Sequence, residues 1–246
     1  MKILLLDIET SPNTAYVWGL FKENIPLARL IDSSETLCWS AKWHGEKEVM
    51  FDSILESSPK KMIKRIHKLL NEADVVVHYY GSRFDLPVLN REFLIYGFSP
   101  PAPYKSLDLL TTVRRKFKFV SNKLDYVSER LGLGKKHETN FQLWVDCMRK
   151  DPDAWKIMKQ YNIQDVLLLE KLYERLKPWI SNHPNIGLYQ SNSLVCPTCG
   201  GTHHHKRGYA HSQSRVYQRH VCKSCGTWFR SGTNLGPKPA DKYTAI

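Results

Sequence analysis

The sequence predicts an α/β fold, a mixed five-stranded sheet flanked by helices, with a small cysteine-anchored module after it. Three observations carry this. Short apolar, β-forming runs alternate with helical-period stretches over residues 1–178. The chain has 246 residues, 42% hydrophobic and 24% charged, which is ordinary globular composition for one domain and a smaller companion. Two CxxC pairs occur, both beyond residue 195.

The elements follow in order. Residues 2–8 are nearly all apolar, as a buried strand requires. Residues 14–20 (TAYVWGL) and 36–43 (TLCWSAKW) are rich in β-formers, and 49–51 adds a short piece after the turn-like His44-Gly45; these predict the next two strands, joined in antiparallel fashion. Residues 60–71 place Met62, Ile63, Ile66, Leu69 and Leu70 at helical spacing. Residues 74–79 (DVVVHY) predict a buried strand, broken by Gly81-Ser82 and followed by a helix to about Tyr96, with Pro87 tolerable in its first turn. Gly97 and Pro100, Pro101 and Pro103 end that helix, and residues 105–107 predict a fifth strand. Helical stretches are expected near 108–118, 122–131 and 151–177, the last opening on Asp151-Pro152. Residues 179–195, rich in Ser, Asn, Pro and Gly, read as a linker, 196–232 as the cysteine module and 233–246 as a flexible tail.

The net charge is +12 and the pI near 9.4. From Ile186 to Ile246 eight Lys/Arg face a single acid, Asp241. A basic tail on a mildly basic body suggests a polyanionic partner. No apolar run approaches the ~20 residues of a membrane helix, and the apolar start is interrupted by Asp7 and Glu9, so no signal segment is expected and the chain reads as cytoplasmic. Six cysteines are present; Cys38 and Cys147 stand alone and read as buried thiols, whereas the paired set points to metal rather than disulfides.

Acidic residues form the chemical signal. Asp7 and Glu9 are two apart in the first strand and so share a face. Asp85 follows the fourth strand and precedes a helix. Tyr161 and Asp165, at i and i+4, share one face of the long last helix, which Val166 to Leu169 bury. Converging carboxylates repel each other unless a cation binds. Oxygen-only ligands favour hard ions such as Mg²⁺ or Mn²⁺, and two such ions about 3.5–4 Å apart form the clamp used for phosphoryl displacement.

These motifs resemble the DEDDy branch of the proofreading 3′→5′ exonucleases. Asp7-Ile8-Glu9-Thr10 is similar to the first exonuclease motif. The stretch from His78 to Pro87, with Tyr79, Tyr80, Phe84 and Asp85, resembles the second as found in family B DNA polymerases, and Tyr161 with Asp165 resembles the third. The segments around Ser106-Leu107-Asp108 and Lys123 to Gly132 resemble the region between the second and third motifs. The resemblance covers residues 1–178 and extends to small stand-alone exonucleases encoded by bacteriophages, which would place the chain in a host cytoplasm. It implies an RNase H-like fold and two Mg²⁺ or Mn²⁺ ions held by Asp7, Glu9, Asp85 and Asp165. It also implies a water oriented by Tyr161, and release of 5′-mononucleotides from single-stranded or frayed DNA. The alternatives are an RNA-trimming exonuclease, a catalytically silent nucleic-acid-binding adaptor, and an endonuclease on the same core. One departure stands out: Tyr80 occupies the place of an Asn that helps hold the substrate strand in family B enzymes. Asp108 reads as supporting rather than ligating, and His137 as a surface histidine.

Cys196, Cys199, Cys222 and Cys225 form two knuckles separated by 22 residues, each followed by Gly, a pattern for one structural Zn²⁺ in a zinc ribbon. His203, His204 and His205 are expected exposed, and Trp228 or Phe229 in the ribbon core. Lys206, Arg207, Arg215, Arg219 and Arg230, interleaved with aromatics, suit nucleic-acid binding; docking to a replication or recombination protein is the competing role. In the main domain Arg114, Arg115, Lys116 and Lys118 are the electrostatic candidates for steering a strand.

Overall fold

The structure is a computed structural model that describes residues 1–135, 139–190 and 194–236. His137 and the tail beyond Gly236 lie outside the described residues. Compactness divides the chain between Tyr173 and Glu174, inside its longest helix.

The first unit runs β1 (Ile3–Thr10), β2 (Thr14–Ala15), β3 (Leu30–Asp32), β4 (Thr36–Trp43), β5 (Met50–Ser53), α1 (Pro59–Glu72), β6 (Val75–His78), α2 (Asp85–Ile95), β7 (Lys105–Asp108), α3 (Leu109–Lys116), α4 (Leu124–Arg130), α5 (Phe141–Met148) and α6 (Pro152–Leu176). Five strands form one sheet in the order β5-β4-β1-β6-β7. β1 pairs antiparallel with β4 and parallel with β6, so the sheet is mixed, as expected.

Alternation along β1 sorts the two faces. Leu4, Leu6 and Ile8 join Trp39 and Ala41 of β4 in a core with Met62, Ile63, Ile66 and Leu70 of α1 and Leu86, Leu89 and Phe93 of α2. Asp7 and Glu9 therefore face the other side, opposite Ser40 and Cys38 of β4. There Leu37 and Cys38 pack with Leu143 and Cys147 of α5 and Ala154, Trp155, Met158 and Tyr161 of α6. Lys42, almost fully buried, pairs with Glu170 at 2.7 Å and fixes α6 across β4. Both lone cysteines are buried, as read.

One local expectation fails and one helix had no assignment. Residues 14–20 do not form a core strand: only Thr14–Ala15 is extended, pairing with β3 in a separate two-stranded sheet. The rest of that run turns back because the Glu23 carboxylate accepts the N–H groups of Trp18 and Gly19 and pairs with Arg29. The β-forming aromatics Tyr16, Trp18 and Phe21 are left in solvent. Conversely, residues 132–150, unassigned from sequence, contain α5, held because its Leu143 and Cys147 bury against the sheet.

The second unit holds a three-stranded antiparallel sheet, β8 (His204–His211), β9 (Val216–Cys222) and β10 (Trp228–Asn234), with β9 central. The stretch read as linker includes a 3-10 turn at Ile186–Tyr189, and the Ile186 N–H donates to Pro197 O at 2.7 Å.

Candidate metal and nucleic-acid sites

Asp7 and Glu9 stand at the end of β1, where Leu5, opposite Val77, is its last residue in register with β6. Beyond that point the chain of Asp85 takes over the β6 side: its Oδ1 accepts the Ile8 N–H at 3.2 Å. α6 crosses the opposite face and delivers Asp165, 2% exposed, to the same place. One carboxylate oxygen from each of Asp7, Glu9 and Asp165 lies within 4.8 Å of the others, although Asp165 is far away in sequence. Asp85 is not within that trio; it is docked against the backbone between its two β1 members.

Several groups hold these acids. Asn162, fully buried on α6, donates to Asp7 Oδ2 at 2.7 Å. The Trp144 indole N–H of α5 donates to Glu9 Oε2 at 3.1 Å, and its ring meets Tyr161 edge-on at 5.8 Å. Neither was found from sequence. Asn162 carried a signal, a polar residue between Tyr161 and the apolar run of a buried helix; Trp144 carried none apart from α5 itself. Burial pushes the Asp85 carboxyl up to about 7, partly offset by donated backbone N–H groups and reinforced by Asp108. Burial also raises the Cys38 thiol, helped by Glu9 and Asp7.

Such a donor set fits a hard divalent cation. It is all oxygen, and an octahedral Mg²⁺ with bonds of about 2.0–2.1 Å sets neighbouring ligand oxygens roughly 3 Å apart and opposite ones about 4 Å. The observed spread needs only side-chain adjustment.

The loop carrying Asp85 is built by Asp108. Its carboxylate accepts Tyr80 N–H (2.9 Å), the Ser82 hydroxyl and, as the cap of α3, Leu110 N–H (3.0 Å). Tyr80 is thereby held at φ +69°, a left-handed conformation unusual for a side-chain-bearing residue. Gly81 follows because it packs on buried His78: a Cβ there would lie 2.6 Å from the His78 ring. His78 Nε2 contacts the Ser106 hydroxyl at 2.7 Å, and burial lowers its imidazole to about 4.

An open cleft of about 940 Å³ adjoins this loop, lined by Tyr79, Tyr80, Arg114, Lys123, Lys135 and Tyr161 among others. Arg114 lies 5.9 Å from the centre of the Tyr80 ring. Arg115, Lys116 and Lys118 are exposed but do not line the cleft.

In the second unit the four sulfurs of Cys196, Cys199, Cys222 and Cys225 cluster within 4.8 Å, with the Cys196–Cys225 and Cys199–Cys222 pairs at 3.6 Å. Tetrahedral Zn–S bonds of about 2.3 Å require sulfurs about 3.8 Å apart, so the cluster is compatible with a zinc ribbon. Gly200 and Gly226, at φ +73° and +79°, close the two knuckles as their positions predicted. Burial would raise the Cys222 thiol, but the backbone N–H groups of Cys225 and Ser224, together with the Cys199 and Cys225 thiols, outweigh it and bring it to about 7. His203 and His205 are exposed, but His204 is not: it packs edge-on against His220 and Phe229, because its strand position faces the ribbon core. Phe229 is half-buried and Trp228 is exposed.

Comparison with known families matches residues 4–177 to a model of the RNase H superfamily. Among solved structures, the family B DNA polymerase from the hyperthermophilic archaeon Pyrobaculum calidifontis superposes with a TM-score of 0.54 at 18% identity. The match covers 72% of this chain and 24% of the polymerase, so the likeness is one of fold over a minor part of that enzyme. Comparison with curated proteins gave no match.

Proposed function

Because the chain belongs to the RNase H superfamily and its carboxylates converge at one strand end, we propose that it is a metal-dependent 3′→5′ exonuclease of the DEDDy type, acting on single-stranded or frayed DNA. The observation that carries this reading is the meeting of Asp7, Glu9 and Asp165, with Tyr161 of the same helix as Asp165 lining an open cleft where Arg114, Lys123 and Lys135 stand with Asp125 and Glu129.

Asp7, Glu9, Asp85 and Asp165 would hold two Mg²⁺ or Mn²⁺ ions. Bound there, the ions supply a water of lowered pKa and stabilise charge on the leaving 3′-oxygen. The protein's own groups do the rest. Asn162 and Trp144 fix the rotamers of Asp7 and Glu9. Tyr161, set edge-on against the Trp144 ring, orients the attacking water. Arg114 and Lys123 line the cleft where the strand's phosphates would run.

Asp7→Ala tests the proposal: it should abolish digestion of a single-stranded oligonucleotide while leaving strand binding largely intact. A variant that digests at the wild-type rate overturns the site. Matched DNA and RNA strands run side by side separate this reading from RNA trimming on the same fold.

A further inference from the structure

The ribbon sheet has two unlike faces. Strand pairing places His220 between Phe229 and Lys206, and the His220 ring stacks on Phe229 at 5.3 Å with His204 edge-on to both, so this face is packed inward. Alternation sends Tyr217, Arg219, Trp228 and Arg230 to the other face.

On that second face Arg219 and Arg230 are direct cross-strand partners. Like charges so placed destabilise a sheet. The module offers them no carboxylate, since no Asp or Glu occurs between Arg175 and Ala240. Instead the guanidiniums lie on aromatic rings: Arg219 is 5.1 Å from the centre of Trp228, and Arg230 is 3.6 Å from that of Tyr217. Arg219 Nε also donates to Arg207 O at 2.9 Å, which fixes its fork on the sheet. The Arg230 and Arg215 guanidiniums hold the Tyr217 hydroxyl below its ordinary range, another sign of concentrated positive charge. Beside these cations the Trp228 indole is 56% exposed.

We propose that this face, Arg215, Tyr217, Arg219, Trp228 and Arg230, is a second binding site for single-stranded nucleic acid, separate from the carboxylate site. The guanidiniums supply phosphate contacts, and the juxtaposed like charges are relieved when an anionic backbone lies across them. The open indole supplies a stacking surface for one unpaired base. A duplex hides its base faces, so the exposed tryptophan selects a single strand. An acidic protein segment would satisfy the arginines but has no use for the indole at their side.

The test uses the full chain without added Mg²⁺, with zinc content measured for each variant. Binding of a fluorescein-labelled oligothymidylate is followed by anisotropy across a KCl series. Arg219→Ala/Arg230→Ala should weaken binding and lower the slope of log affinity against log salt by about 1.4, since each phosphate contact on a single strand contributes about 0.7. Trp228→Ala should weaken binding at least roughly fivefold with the slope unchanged. If the double variant loses its zinc, Trp228→Ala, at an exposed position, decides alone. Wild-type affinity and slope in these variants would overturn the site. So would polyglutamate displacing the strand at equal charge concentration while Trp228→Ala has no effect, because the face would then serve an acidic protein. Binding is read without cleavage, so a chain unable to digest DNA would sink the exonuclease proposal and leave this one standing.

Discussion

Replacing Asp85 with asparagine should remove a pH-dependent weakness from the metal-free protein and, with it, the part of the stabilisation by Mg²⁺ that runs through this carboxylate. The side chain is 5% exposed, and burial raises its carboxyl from 3.8 to about 7. Below the unfolded value both states are protonated and the group contributes nothing to pH dependence. As pH rises from about 4 to about 7, the unfolded chain ionises first, and stability falls; above the folded value the loss is complete. A rise of roughly three units at about 1.36 kcal/mol each sets a ceiling near 4 kcal/mol. His78 acts in the opposite sense: burial lowers it from 6.5 to about 4, so the stability of its neutral form is present above 6.5 and lost as pH falls toward 4. That contribution is common to both proteins, and subtracting their curves isolates Asp85. Urea unfolding across this pH range, with and without Mg²⁺, is the assay. Asp85→Asn should gain on wild type as pH rises, by up to about 4 kcal/mol without metal. Saturating Mg²⁺ should reverse the ranking, because a cation stabilises an ionised carboxylate and not an amide. Wild-type and variant curves that stay parallel in both conditions would refute the argument that Asp85 is a buried acid awaiting a cation.

Three further substitutions probe the surroundings. Gly81→Ala places a Cβ 2.6 Å from the buried His78 ring, which cannot withdraw; thermal unfolding should show a loss within the ~1–3 kcal/mol of overpacked sites, and an unchanged midpoint would contradict the packing. Trp144→Phe keeps an aromatic ring beside Tyr161 but removes the donor to Glu9. Titration calorimetry should then show Mg²⁺ affinity reduced roughly 10–100-fold, and undiminished affinity would free Trp144 from any supporting role. Tyr161→Phe should slow single-turnover cleavage substantially while the helical circular dichroism signal persists; an unaltered rate would remove the phenol from the chemistry.

The strands and helices that bury strongly periodic or continuous apolar runs were legible in the sequence: β1, β4, β6, α1 and α6 stand within a few residues of their expected bounds. Composition misled where no tertiary partner followed. Tyr16, Val17 and Trp18 favour strand, but Glu23 captures two N–H groups of that run and turns it into a solvent-exposed loop. α5 escaped notice because eight residues give barely two turns, too short for periodicity to register, and only burial of Leu143 and Cys147 reveals its inner face. At the candidate site, Asp7, Glu9 and Asp165, singled out in the sequence for their chemistry, are the three acids that the fold brings together. Asp108 was singled out as a supporting residue, but Asn162 and Trp144 act through hydrogen bonds between elements distant in sequence, and spacing alone does not encode such contacts.

The proposed activity requires that acidic side chains at one strand end hold hard cations against a 3′ terminus. Digestion of a single strand labelled in turn at its 3′ and 5′ ends, with Mg²⁺, Mn²⁺ or chelator, tests this directly. The expected result is immediate release of labelled mononucleotide from the 3′-labelled strand, a ladder shortening stepwise from the 5′-labelled one, and no product with chelator. Cleavage that persists without divalent metal, begins at the 5′ end, or opens a circular single strand would contradict it.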